Sequence, residues 1–134
     1  MLDHVLDDIL LAHLKTVAAL ATLNGYTGHD NADHKLPAVT VSTTSEPLAG
    51  SDTAFRGEVS VTIESEAHDT TPSTHSERVA ATRATLANRT AVIAALNATG
   101  RLHIYGYAAL GSEPAAGDAR FTTKLRYRFG FGSP

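Results

Sequence analysis

The clearest pattern in the chain is the alternation over residues 120–131. Phe121, Leu125, Tyr127, Phe129 and Phe131 alternate with Arg120, Thr122, Lys124, Arg126 and Arg128. A period of two is the mark of a strand with one face buried and one face wet. Residues 54–67 repeat it, with Phe55, Val59, Val61 and Ile63 on one side. Arg56, Glu58, Ser60, Thr62, Glu64 and Glu66 lie on the other. A strand of that length spans about 46 Å, long for a small domain. Val39, Val41 and Thr43, alternating with Ala38, Thr40 and Ser42, give a shorter strand. Residues 101–110 pair with 120–131 as a hairpin around Glu113 to Asp118.

Two segments carry the helical period instead. In residues 2–23, Leu2, Val5, Leu6, Ile9, Leu10, Leu14 and Val17 recur at spacings of three and four. Asp3, Asp7 and Asp8 stand near the start, where the helix dipole favours negative charge, and Asn24-Gly25 reads as a left-handed stop. Thr74-His75-Ser76-Glu77 has the form of a capping box opening a second helix that runs to about Ala98. Asn88-Arg89-Thr90 kinks or restarts it, and Gly100 ends it. Residues 24–37 read as a long polar loop, and 46–53 as a turn.

The predicted order is therefore α-β-β-α-β-β. It implies an α+β fold with one four-stranded, mostly antiparallel sheet and both helices packed on its apolar face. The 134 residues fit one domain, 1–134, able to bury a core without a disulfide or metal staple. There is no cysteine, which removes disulfides, thiolate metal sites and cysteine nucleophiles. The formal net charge of -3 argues against general nucleic-acid binding. No run of 18 apolar residues spans a membrane, and the acidic start Met1 to Asp8 does not suit a secretory signal.

The search for chemistry returns little. His29, Asp30, Asp33 and His34 are metal-ligand types, with His68, Asp69 and His75 as a looser second group. They sit on loops without a helical frame, so solvated polarity is the expected reading and no metal is expected. His103, alternating within a strand, reads as structural. No Gly-x-Ser-x-Gly elbow is present, and Ser73, Thr74 and Ser76 read as a helix start. Gly25-Tyr26-Thr27-Gly28 is too short for a phosphate loop and follows a helix. No cofactor and no catalytic residue is expected.

Two strand faces do carry a signal. Glu58, Glu64 and Glu66 make one strand acidic, and Arg120, Lys124, Arg126 and Arg128 make the last one basic. As neighbours in one sheet they would neutralise each other. Otherwise they could pair between subunits, which makes these seven residues the candidate interface.

The order of segments adds a resemblance. Leu36-Pro37-Ala38-Val39-Thr40-Val41 leads into the acidic strand Phe55 to Ala67. Asp69, Thr70, Thr71 and the helix Ser76–Leu86 follow, then Ala91 to Asn97, then Leu102-His103-Ile104-Tyr105-Gly106. The basic strand Arg120 to Phe131 comes last. This layout resembles the tail terminator or tail completion proteins of long-tailed bacteriophages, over nearly the whole chain. The resemblance implies a small, non-enzymatic structural virion protein, made in the host cytoplasm and located at the tail or neck. It implies a homo-oligomeric ring, a hexamer, on the end of the tail tube, stopping tube growth and meeting a neck or head-completion protein. Other phage neck or connector proteins share the texture. A small ligand- or protein-binding module unrelated to phage, and a hydrolase using the His29–His34 loop, are the readings from other classes.

Overall fold

The computed structural model describes residues 2–28, 35–67, 70–116 and 120–134, with the side chains of 114–116 left out. The loop residues His29, Asp30, Asp33, His34, His68 and Asp69, at which no metal is expected, and the hairpin tip at Gly117 and Asp118, lie outside the described residues. The elements in chain order are α1 (Leu2–Leu14), α2 (Ala18–Ala21), β1 (Asn24–Thr27), β2 (Ala38–Pro47) and β3 (Ala54–Glu66). Then come α3 (Pro72–Ala87), α4 (Arg89–Ala98), β4 (His103–Ala116) and β5 (Arg120–Gly132).

The fold is α+β, as predicted, but the sheet has five strands, in the order β1-β2-β3-β5-β4. The added strand is Asn24–Thr27, which pairs parallel to the start of β2. Its four residues include a glycine and show no alternation, so only the long-range pairing marks them as a strand. Asn24-Gly25 is therefore not a helix stop. Asn24 instead holds the approach to β2: its side-chain Nδ2 donates to the carbonyls of Lys35, at 2.9 Å, and Pro37, at 3.2 Å. The other three pairings are antiparallel.

Both predicted helices are interrupted. The first ends at Leu14, where the Thr16 hydroxyl takes the His13 carbonyl at 2.6 Å and tightens the last turn. The chain then passes through an extended Val17 into α2. The second divides at Asn88, which closes α3 and whose side chain accepts from Ala91 N to open α4. The Tyr107 hydroxyl fixes this corner by donating to the Leu86 carbonyl at 2.6 Å. The N-cap of α3 is Thr71, not the predicted Thr74. Its hydroxyl accepts from Thr74 N at 3.1 Å and Pro72 follows at the first helical position. Gly100, at φ 69°, ends α4 as expected.

Among the described residues the large buried apolar side chains join one cluster between helices and sheet. β2 contributes Val39 and Val41, β3 contributes Val59, Val61 and Ile63, and β5 contributes Leu125, Tyr127, Phe129 and Phe131. Leu6, Leu10, Leu14, Leu86, Val92 and Leu96 meet them from the helices. The inward set predicted for the last strand is the inward set found, with Phe121 half-buried at its margin. Among the described residues no helix is long and apolar enough to cross a membrane.

Polar ties set α1 against the sheet. The Thr43 hydroxyl donates to Asp7 Oδ1 at 2.6 Å in the core, and Ser45 donates to Asp3. Four helical residues rise about 6.0 Å and two strand residues about 6.8 Å, so an i, i+4 pair on the helix matches an i, i+2 pair on the strand. Asp7 is thus a buried anchor, not only a residue for the helix dipole.

Leu125 is 2 % exposed. Its truncation to alanine should cost about 2–5 kcal/mol, read from urea unfolding. A loss below about 0.5 kcal/mol would mean that the apolar face of β5 is not the core.

Candidate functional site

With every helix on one side, the opposite face of the sheet stays open. The seven predicted interface residues all lie on it. β3 and β5 are direct neighbours, in register from Ala54 opposite Gly132 to Glu66 opposite Arg120. The acidic and basic faces therefore meet within one chain. Arg120 Nη1 reaches Glu64 Oε2 at 2.8 Å, and Arg126 Nε donates to Glu58, both on the diagonal rather than straight across. Arg126 also reaches Glu113 on β4 at 3.4 Å. The hydrogen bond from Arg126 holds the Glu58 carboxyl below the usual range, and Glu58 raises Arg126 in turn. Both groups are solvated, so such pairs add little to stability. Thr40, Ser42, Thr62 and Ser60 fill the middle of the face, and Lys124 and Arg128 complete the basic row.

Over β5 the open face has an aromatic cover. Tyr105, 59 % exposed, lies over Gly130 and Gly132, and its ring meets His103 edge-on at 4.9 Å. An aromatic ring over strand glycines supplies the contact that a missing side chain would have made.

A second feature was not legible in the sequence. A cleft of about 360 Å³ opens between the α3–α4 corner and the outer strands β4 and β5. Leu86, Ala87, Ala108, Ala109 and Leu125 line it with Tyr107 and Tyr127, and Arg83 and Arg89 flank it. Tyr107 stacks on Phe129 with centroids 4.6 Å apart and planes 9° apart, and Arg89 lies over the Tyr107 ring at 5.8 Å. Burial pushes the Tyr107 phenol up to about 12 and raises Tyr127. Arg83 donates to the Ser112 hydroxyl at 2.9 Å. Neither Arg83 nor Arg89 has a carboxylate within ion-pair distance among the described residues. The two arginines, six residues apart across the helix break, and the two tyrosines, on different strands, meet only through the fold.

His75, grouped by sequence with possible metal ligands, is buried. Its Nδ1 is 2.9 Å from Ser65 Oγ and its Nε2 is 3.0 Å from Thr123 Oγ1, tying α3 to both central strands. Arg78 donates to the same Ser65 hydroxyl at 2.9 Å. Among the described residues no group of three or more His, Asp or Glu is placed to hold a metal ion.

No protein-family model matches the chain. No curated protein matches it either. One solved structure aligns with 96 % of this chain and 90 % of its own, at 15 % identity and a TM-score of 0.47. At that level of likeness no property of that protein carries over to this one.

Burial, and then the Arg78 charge, lower the His75 pKa from 6.5. The unfolded state therefore binds more protons than the native one below about pH 6.5, and stability falls as pH drops from there toward the depressed value. His75→Gln should remove that part of the slope. Urea midpoints measured from pH 7.5 to 5 in both proteins check this, and parallel curves would show that His75 does not titrate as the site requires.

Proposed function

We propose that this chain is a structural virion protein that forms a ring at the end of a phage tail tube. It ends tube polymerisation and joins the tail to the neck or head. The resemblance in segment order motivates this reading, and one structural observation supports it. The helices occupy a single side of a five-stranded sheet, so a face of serine, threonine and paired charges is left uncovered. A polar face with its charges already paired has the character of the rim of an interface rather than of its apolar centre. The partners are copies of itself, most simply six around the tube, together with the tube protein and a neck or head-completion protein. The protein acts without a cofactor, a metal or a catalytic residue.

A neck or connector role elsewhere in the particle is the nearest alternative within this reading. The cleft beside Arg83 and Arg89 favours a different one, a small ligand- or protein-binding module unrelated to phage, because it joins an apolar floor to fixed donors.

Electron microscopy of assembled tail-like particles with labelled protein tests the proposal. A closed ring of several copies at the tail end is expected. A single copy, or absence from such particles, ends the ring reading. Within a ring, charge reversal at Arg126 and Arg128 separates two roles for the basic row. Rings that fail to form would make it a subunit contact, and unchanged rings would assign it to solvent.

A further inference from the structure

Three large apolar side chains are exposed among the described residues: Leu48, Tyr105 and Leu110. Tyr105 is spent over Gly130 and Gly132. The other two stand on separate surfaces. Leu110, 37 % exposed, lies in β4 between Ala109 and Gly111, which line the cleft at the α3–α4 corner where Arg83 and Arg89 lack carboxylate partners among the described residues. Leu48, 39 % exposed, projects from the turn between β2 and β3. The same turn carries the exposed Asp52, which has no basic partner among the described residues. One surface is apolar and basic, the other apolar and acidic.

The turn is also held in shape. Ser51 N donates to the Leu48 carbonyl at 3.0 Å, Leu48 N donates to the Ala54 carbonyl at 2.9 Å, and the Ser51 hydroxyl accepts from Thr53 N and Ala54 N. A segment ordered before contact loses less entropy on binding. The cleft offers a further unused group. Tyr127 is 7 % exposed and lines the cleft, and its hydroxyl has no hydrogen-bond partner among the described residues.

We propose that the cleft flanked by Arg83 and Arg89 receives the β2–β3 turn of a second copy of this chain, with Leu48 on the apolar floor and Asp52 on the guanidinium groups. The inference rests on the ring reading and specifies its subunit contact. Because the two surfaces differ, the contact is head-to-tail, the kind that closes a ring when its rotation allows. Backbone pairing along β4 is not the route. Asn97 already occupies the Ile104 backbone on that edge, accepting from Ile104 N at 2.6 Å, and irregularities at Ile104/Gly106 and Ala109/Gly111 bend the strand. Side chains are left to make the contact. The charged part is exposed and should weaken as salt rises.

The test uses the full chain with a photo-crosslinking benzoylphenylalanine at Ala109, which is opposite Tyr127 and lines the cleft, at high protein concentration and in assembled particles. Crosslinks to residues 46–55 of a second copy are expected. They should fall at least tenfold with Arg83→Glu and Arg89→Glu together, and return when that chain is mixed with one carrying Asp52→Arg. Circular dichroism confirms that each variant is folded. Crosslinks to another segment, or none in particles that do contain rings, would overturn this contact and leave the ring reading standing. Crosslinks to the turn in particles without rings would support the contact and overturn the ring.

Discussion

The antiparallel ladder between β3 and β5 is the constraint on which the rest of the molecule depends. Thirteen residues of each strand pair without a register shift. A slip of one residue would exchange the two faces, moving Val59, Val61 and Ile63 to solvent and Glu58 and Glu64 into the core. The burial of one face fixes the register, and the register then fixes the other face. Glutamates on β3 come beside arginines on β5, and the charges that could have joined two chains are drawn together within one.

The helices are set on this sheet by a few buried polar groups. Thr43 holds Asp7 of α1, Ser65 and Thr123 hold His75 of α3, and the Tyr107 hydroxyl holds the end of α3. Apolar packing alone tolerates small rotations and slides of a helix over a sheet. A hydrogen bond in a dry interior does not, because leaving it unmade costs the full desolvation of the group. These contacts also shape the cleft. The break at Asn88 turns the helix, Tyr107 fastens the corner to β4, and Arg83 and Arg89 are left on either side of the opening.

The two edges of the sheet are treated differently. On one side the four-residue β1 covers only the beginning of β2. On the other, β4 runs for fourteen residues, and Asn97 and two irregularities interrupt its outer row of backbone groups. A long edge left regular invites pairing with any passing strand. Interrupting it moves recognition to side chains, which choose partners by shape and charge.

The sequence by itself determined the alternating faces of β3 and β5, the inward residues from Leu125 to Phe131, the break at Asn88 and the stop at Gly100. Each of these depends on neighbours within a few residues, where the period of a strand or the preference of a capping residue acts directly. Only the tertiary structure decided that β5 lies beside β3 with β4 at the edge, that Asn24–Thr27 forms a fifth strand, and that Asp7 and His75 are core residues. It alone brought Arg83, Arg89, Tyr107 and Tyr127 around one cleft. These outcomes turn on which distant segments pair, and that is set by the best joint burial and hydrogen bonding of the whole chain, which local patterning does not encode.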